Sequence, residues 1–312
     1  MDSMLRLVSD LTALHASWER EPLVSDGLGG FDDVFSVEAA QDLIASNLPL
    51  SAVRLFMDGK PIEPRRYARP KNPSARGTDL FADAHTVLDY VGRGATVALE
   101  ELQMYSAPIA AFGGDVERYT GYRADLTAFL TPAGVGGLRP HYDAISVVIR
   151  QVRGAKRWRI SEPAQRWPTR RFQPGDECAT KQVLDITLEE GQSLYVPRGF
   201  IHAGAAQSRS SAHLTIGFHG RTWAELLREA LATAADGCEE LREATPPAFS
   251  PLDREALLEE RASLLAELLA KLRWADIEPG PGWATGRRPP AGGALAALLS
   301  DIGDGPARAE RS

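Results

Sequence analysis

Apolar residues follow different patterns in successive parts of this chain of 312 residues. In residues 1–100, stretches with helical spacing are mixed with short apolar runs, which predicts short helices and strands. From residue 125 to 218 the apolar runs are short, and Gly or Pro stands at most of their ends. This succession predicts antiparallel strands in a sandwich or small barrel. The predicted strands are 125–131, 144–152, 155–160, 183–188, 192–196 and 211–218.

Three local patterns complete this part of the chain. Residues 60–78 contain several Pro and Arg without periodicity and predict a loop. Residues 101–118 predict a helix that is interrupted near Pro108. Arg153-Gly154 predicts a two-residue turn between the second and third strands of the series.

The remainder of the chain returns to a helical pattern. Thr222 and Glu225 have the spacing of a capping box, and Pro251 stands at the favoured first position of a longer, leucine-rich helix. The stripe of leucines is wide for a surface helix, so it fits either packing on its own domain or a homodimer contact through residues 222–272. Residues 276–312 are rich in Pro, Gly and Ala, which predicts a mostly flexible tail.

Together these patterns predict a mostly β core with flanking helices, which is an α+β fold. We expect an N-terminal α/β lead-in over residues 1–100, packed on a β core over 101–220. A helical region over 221–275 follows the core, and the tail completes the chain.

The composition narrows the class of protein. Charged residues make up 25% and hydrophobic residues 44% of the chain, as in ordinary globular proteins. The net charge of -7 argues against nucleic-acid binding, which needs a basic face. No run of about 18 apolar residues predicts a membrane span, and no signal peptide is predicted. With only Cys178 and Cys238 we expect no disulfide framework, and hence a reducing cytoplasm.

Three residues of the predicted β core form a candidate metal site. His141 and Asp143 are two positions apart, so on a β-strand both side chains would lie on the same face. His202 follows an apolar strand and a Pro-Arg-Gly turn. Two imidazoles and one carboxylate can hold a divalent metal and leave coordination positions open. That arrangement suits non-haem Fe(II), which needs free positions for a co-substrate and O2.

Four motifs follow one another in the sequence: Thr131-Pro132-Ala133-Gly134, Pro140-His141-Tyr142-Asp143, Gln151-Val152-Arg153-Gly154-Ala155-Lys156-Arg157-Trp158-Arg159-Ile160 and Tyr195-Val196-Pro197-Arg198-Gly199-Phe200-Ile201-His202. In this order they resemble the motifs of the JmjC oxygenases, most of all those of the cupin-type ribosomal oxygenase branch and its bacterial relatives. The resemblance covers about residues 95–220. It implies a double-stranded β-helix of the jelly-roll or cupin type, with Fe(II), 2-oxoglutarate and O2.

By position, the resemblance makes His141, Asp143 and His202 the iron ligands. It also matches Lys156 to the basic residue that binds the distal carboxylate of 2-oxoglutarate, a role that needs a fixed cation in a dry barrel. The predicted turn would direct Lys156 to the metal face. The stretch from Asp143 to Gln151 would span roughly 26 Å on a straight strand, so we expect the chain to bend there.

Two threonines are further candidates for the co-substrate site. Thr215 and Thr127 would each offer a hydroxyl to 2-oxoglutarate. Thr127 and Phe129 occupy a strand where relatives often have Asn and Tyr, so this chain departs from the family pattern. His213 alternates with Thr215 and would face inward, but we do not assign it to the metal because three ligands are already present.

The resemblance implies an Fe(II)- and 2-oxoglutarate-dependent oxygenase that hydroxylates a C–H bond of a protein or peptide side chain and produces succinate and CO2. A free amino acid, a peptide natural product or another small metabolite is an alternative substrate, because the region after the core is short for a winged-helix module. Two other classes stay open. One is a cupin that binds metal without redox chemistry, and the other is a non-catalytic scaffold.

Overall fold

A computed structural model describes residues 2–70, 80–173, 175–176, 180–247 and 252–273. The chain up to Gly220 forms one compact unit, and the chain from Arg221 onward forms another. The helices of the first unit are α1 (Asp2–Leu5), α2 (Leu11–Ser17), α3 (Val37–Ala45), α4 (Ala84–Gly92) and α5 (Ala107–Thr120). Its strands are β1 (Leu23–Ser25), β2 (Val53–Met57), β3 (Lys60–Pro61), β4 (Ala68–Pro70), β5 (Leu80–Ala82), β6 (Thr96–Leu99), β7 (Arg123–Thr131), β8 (Ser146–Pro163), β9 (Gln182–Glu189), β10 (Ser193–Val196) and β11 (Phe200–His219).

Two long strands organise the β core. Within the described residues, nine strands form one antiparallel sheet in the order β1-β10-β8-β11-β7-β6-β2-β3, and β9 pairs with β8. The first part of β8 lies between β10 and the end of β11, whereas its second part lies between β9 and the start of β11. Both long strands therefore contribute to two halves of the sheet, and the fold is the predicted double-stranded β-helix with flanking helices.

The predicted turn at Arg153-Gly154 is wrong, because β8 continues through it. The pairing of β8 with β11 shifts register near this point, and Gly154 has a φ of 68°. A Cβ atom on Gly154 would lie 1.9 Å from the carbonyl oxygen of Ser210. A glycine in a strand pattern marks either a turn or a bulge. Here Gly154 pairs with Ser211 in one continuous strand, and the bulged residue of β8 is the nearby Val152, which has no partner on β11.

Other local predictions also change. Pro108 stands in the first turn of α5 and does not interrupt it, which fits a residue that lacks an N–H donor. Residues 60–78 were expected to form a loop. Their described part contains β3, a 3-10 helix at Pro64–Tyr67 and β4.

Side chains of β8 alternate between two cores. Val148 packs in the larger core, which the flanking helices and one face of the sheet share. Val147 and Ile149 pack in a smaller core with Trp158 and Ile160. The inward positions are therefore odd before Val152 and even from Lys156 onward, because the bulge at Val152 adds one residue to β8.

The second unit contains α6 (Trp223–Asp236), α7 (Glu239–Arg242) and α8 (Arg254–Ala270). The capping box at Thr222 and Glu225 is present. Asp253 caps α8 by accepting hydrogen bonds from two backbone N–H groups, and this helix begins at Arg254. Pro251, predicted at the first helical position, lies outside the described residues. The predicted tail, 276–312, lies outside the described residues. No helix in the described part of the chain is long and apolar enough to cross a membrane.

Candidate metal centre

The structure brings the three candidate metal ligands together. His141, Asp143 and His202 each offer one ligand atom, and these atoms lie within 4.8 Å of one another. Nε2 of His141 is 3.9 Å from Asp143 Oδ1, and Nε2 of His202 is 3.5 Å from Asp143 Oδ2. Two imidazole nitrogens and a carboxylate oxygen at these separations can converge on one ion.

The backbone explains this convergence. His141 and His202 form an isolated antiparallel bridge in which each N–H donates to the other carbonyl, at 3.2 and 2.8 Å. The expectation that His141 and Asp143 lie on one strand is wrong, because β8 begins only at Ser146. Between them, Tyr142 is buried and donates a hydrogen bond to Asp176 Oδ2 at 3.2 Å. The two outer side chains thus face the site while the middle one anchors a neighbouring loop.

Each histidine ring is oriented by a backbone carbonyl. Nδ1 of His141 is 2.7 Å from the carbonyl oxygen of Arg139, and Nδ1 of His202 is 3.1 Å from that of Phe200. In the tautomer that makes both hydrogen bonds, Nδ1 donates and Nε2 keeps its lone pair for a metal. Burial, reinforced by the nearby His141, lowers the pKa of His202 to about 4, so this ligand is neutral at physiological pH.

Lys156 lies buried in the same cavity without an acidic partner. Its ammonium group donates a hydrogen bond to Thr131 Oγ1 at 3.1 Å and lies 5.2 Å from the ring centroid of Trp158. Within the described residues, no carboxylate lies within ion-pair distance of it. Burial lowers the pKa of Lys156 to about 7. An anionic ligand would supply the charge that this buried cation lacks.

The chain bends at Ala144 and Ile145, between the metal site and β8, as expected. Across the strand pair, Ile160 lies opposite His202, and Lys156 lies opposite Ala206. Lys156 is therefore four positions along β8 from the neighbour of His202, or about 13 Å. Its Cε atom would be 2.8 Å from a Cβ on Gly204. The bend after Asp143 and the return of β11 along β8 together bring the lysine and the metal site into one cavity.

The two candidate threonines are direct neighbours. Thr127 on β7 pairs with Thr215 on β11, and both line the cavity that contains the metal candidates. This cavity has a volume of about 880 Å³. Phe129 occupies the next inward position of β7, where its ring stacks on His213 with centroids 5.1 Å apart. A phenylalanine at this position supplies a packing surface and no hydrogen bond.

His213 faces inward as predicted, whereas sequence reasoning missed Trp158 and the His219–Asp125 pair, which line the same cavity. Trp158 lies between Lys156 and His213, and its ring meets His213 edge-on at 5.5 Å. His213 is buried, and burial together with the charge of Lys156 holds its pKa well below the usual range. At the mouth, His219 Nε2 is 2.5 Å from Asp125 Oδ2. Trp158 alternates with Lys156 along β8, and His213 and His219 alternate with Thr215 along β11. Only the pairing register between the strands shows that these side chains share one cavity.

The donor set fits a divalent iron and a dicarboxylate. Three ligands on one side leave the cavity side open, which suits the 2-His-1-carboxylate arrangement of non-haem Fe(II). The buried ammonium of Lys156, without a carboxylate partner, fits the far carboxylate of 2-oxoglutarate. Both fits rest on residues of this chain.

Comparison with known proteins agrees with this geometry. Residues 110–226 match the family model described as JmjC domain. Ribosomal oxygenase 1 of Danio rerio is 25% identical over 245 residues, which cover 75% of this chain and 43% of that protein. Ribosomal oxygenase 2 of Rattus norvegicus is 33% identical over 150 residues, 46% of this chain and 32% of that protein. The chain thus spans less than half the length of these curated relatives.

Solved structures share the fold. The structure of ycfD from E. coli is 22% identical, with a TM-score of 0.57, over 85% of this chain and 69% of that one. Another structure of YcfD, described as a ribosomal oxygenase in complex with cobalt and 2-oxoglutarate, is 20% identical with a TM-score of 0.54, over 84% of this chain and 67% of that one. Residues 110–226 therefore match the JmjC domain, and the chain is similar to proteins named as ribosomal oxygenases.

Proposed function

We propose that this protein is an Fe(II)- and 2-oxoglutarate-dependent oxygenase that hydroxylates a C–H bond of a protein or peptide side chain. One observation carries the proposal. Three potential metal ligands line the same cavity as a buried lysine. Among the described residues, no carboxylate lies within ion-pair distance of this lysine. A metal site alone would fit many functions, but the added cation selects an anionic co-substrate.

Each residue then has a defined task. His141, Asp143 and His202 hold the iron, and the carbonyls behind the two imidazoles keep their Nε2 atoms directed at it. Lys156 binds the distal carboxylate of 2-oxoglutarate, and the hydroxyls of Thr127 and Thr215 are available to the same molecule.

Water is kept from this part of the cavity by its apolar wall, which includes Val147, Ile149 and Trp158. When bound, iron with 2-oxoglutarate and O2 supplies the oxidising power for hydroxylation, with release of succinate and CO2. The protein's contribution is positioning and a water-poor environment.

A protein or peptide substrate is supported by the names of similar proteins, among them ribosomal oxygenases and a Dictyostelium discoideum protein named as a histidyl-hydroxylase. A free amino acid, a peptide natural product or another small metabolite is the second candidate, since the match covers only part of those proteins. Succinate release should be measured over pooled ribosomal proteins, peptides and free amino acids. Stimulation by the protein or peptide pools is expected, and stimulation by amino acids alone would favour the second candidate.

A metal-binding cupin without redox chemistry is the main rival of another class. It would need the three ligands but would have no use for Lys156 or 2-oxoglutarate. Succinate release in the absence of a substrate distinguishes the oxygenase from the non-redox cupin. An oxygenase of this kind releases some succinate from 2-oxoglutarate even without its substrate. An iron-loaded protein that releases none under any condition would favour the rival. A non-catalytic scaffold would need neither the metal ligands nor the lysine.

We further propose a cytoplasmic protein that forms a homodimer through residues 222–272. No residue of α8 is buried in the single chain, and Leu258 in this helix is 64% exposed. Covering such leucines would stabilise a dimer. Light scattering should report twice the mass of one chain, and a monomer would contradict the dimer.

A further inference from the structure

The N-terminal segment between α2 and β1 contacts the turn that precedes His202. Arg198, in that turn, donates two hydrogen bonds to Glu19, from Nε to Oε1 and from a terminal nitrogen to Oε2, each at 2.7 Å. Both side chains are largely buried, with 16% and 27% of their surface exposed. The pair is bidentate, which fixes the relative orientation of the two groups as well as their distance.

Glu19 is held in place by contacts of its own backbone. Its N–H donates to the hydroxyl of Tyr195 at 2.9 Å, and its carbonyl accepts from Trp167 Nε1 at 3.1 Å. The neighbouring Trp18 stacks on Tyr195 with ring centroids 5.2 Å apart. Glu19 itself has a φ of 57°, a conformation that costs free energy for a residue other than glycine. The carboxylate is therefore presented to Arg198 from a fixed position.

The turn that Arg198 belongs to is bonded directly to the metal site. The N–H of Gly199 donates to the carbonyl of Asp143 at 3.0 Å, and the N–H of Arg198 donates to Ser146 Oγ at 3.2 Å. β11 begins at the next residue, Phe200, whose carbonyl orients the ring of His202. Two of the three candidate ligands thus depend on the position of this turn.

We infer that the Glu19–Arg198 ion pair is a positioning device for the metal centre, which makes the N-terminal segment a functional part of the site. The inference rests on the proposed function, because the metal site is itself a proposal. The pair fixes the turn, the turn holds the backbone of Asp143, and it sets the start of the strand that carries His202. Neither Glu19 nor Arg198 touches the metal or a substrate.

If the Glu19–Arg198 pair only stabilised the fold, its loss would lower the free energy of unfolding and leave metal binding unchanged. An ion pair that is largely removed from water loses much of its Coulomb energy to desolvation, so its net contribution to folding is small. Metal ligands, in contrast, must be held to within about 0.5 Å for tight binding. Each single substitution leaves one charge without its partner and lowers the free energy of unfolding, whereas the double variant removes both charges. In the double variant we therefore expect metal affinity and coordination geometry to change more than the free energy of unfolding.

The test compares Arg198→Gln and Glu19→Gln with a matched control, Arg157→Gln. Arg157 donates two hydrogen bonds to Asp185, also at 2.7 Å each, and this pair does not line the cavity. Co(II) serves as the probe, since its visible spectrum reports coordination geometry. Its affinity is measured by calorimetry, and the free energy of unfolding of the metal-free proteins by urea denaturation.

We expect Arg198→Gln and Glu19→Gln to weaken Co(II) binding by about 10- to 100-fold and to change its visible spectrum. Arg157→Gln should keep the wild-type affinity and spectrum. The double variant should be no worse than either single variant in metal binding, because both remove the same contact. Glu19→Gln keeps every backbone contact of Glu19, so it tests the idea even where Arg198→Gln folds poorly.

Wild-type Co(II) affinity and spectrum in both variants would overturn the inference. Failure of Glu19→Gln to fold would also overturn it, because the pair would then be required for folding itself. A wild-type protein that binds no Co(II) would overturn the proposed function, and this inference with it. The wild-type titration therefore separates the two failures.

Discussion

His141 and His202 exchange two backbone hydrogen bonds, so two candidate ligands from distant parts of the chain are fixed to each other through their main chains. The carbonyls of Arg139 and Phe200, which lie within hydrogen-bond distance of the Nδ1 atoms of His141 and His202, also restrict rotation of the two imidazole rings. A ligand set held in this way needs little rearrangement to accept an ion. This relationship underlies the predictions about the site.

Removal of one ligand should abolish metal-dependent turnover without unfolding the protein. We expect His202→Ala to lower Co(II) affinity by more than about 100-fold, since loss of a ligand costs more than loss of an orienting partner. Succinate release should fall to background, while the far-ultraviolet circular dichroism stays unchanged. His15→Ala, at an exposed histidine, is the control and should behave as wild type. Retained turnover in His202→Ala would count against the ligand assignment.

Replacement of the buried lysine should separate co-substrate binding from metal binding. Lys156→Met removes the cation but keeps most of the side-chain volume. We expect 2-oxoglutarate affinity to fall about tenfold or more, because a charged hydrogen bond is lost, and Co(II) affinity to change little. Calorimetry measures both, with the exposed Lys60→Met as the control. Equal losses of the two affinities would indicate a structural role for Lys156.

The same lysine predicts a pH dependence of stability in the metal-free protein. Burial lowers its pKa from 10.5 to about 7 in the folded state. Between these two pH values the unfolded chain binds more protons, so the free energy of unfolding rises with pH over this range. Below pH 7 the lysine is charged in both states, and the full cost of burying the charge is present.

Lys156→Met should therefore be more stable than the wild type, by on the order of a few kcal/mol below pH 7, and the gain should shrink as pH rises toward 10.5. Urea denaturation at pH 6 and pH 9 measures this difference, again beside Lys60→Met. A difference that does not depend on pH would show that Lys156 is not a buried cation.

The close approach of β8 to β11 at Gly154 should make the fold sensitive to a single methyl group. Gly154→Ala adds a Cβ that would lie 1.9 Å from the Ser210 carbonyl oxygen at a φ of 68°. Gly121→Ala has nearly the same φ, 70°, but nothing within 4 Å of the added atom. We expect Gly121→Ala to cost about 1 kcal/mol from backbone strain alone and Gly154→Ala to cost clearly more. Equal losses of unfolding free energy in the two variants would contradict the close approach of Gly154 to the Ser210 carbonyl.

The sequence predicted the β core, the fold family and the residues that converge at the site, because motifs in a fixed order carry that information. It did not predict that β8 is continuous, since a glycine after an arginine reads equally well as a turn or a bulge. The position of Trp158 and His213 beside Lys156 depends on the register between distant strands. The contact between Glu19 and Arg198 joins residues too far apart in the chain for any local pattern to reveal.

We propose above all that His141, Asp143 and His202 hold iron and that Lys156 binds 2-oxoglutarate in the same cavity. An anaerobic titration with Fe(II) and 2-oxoglutarate, followed in the visible range, tests it most directly. We expect a weak charge-transfer band in the wild type that requires both Fe(II) and 2-oxoglutarate, is absent in His202→Ala and needs much more 2-oxoglutarate in Lys156→Met. No band in the wild type at saturating Fe(II) and 2-oxoglutarate, or an undiminished band in His202→Ala, would contradict it.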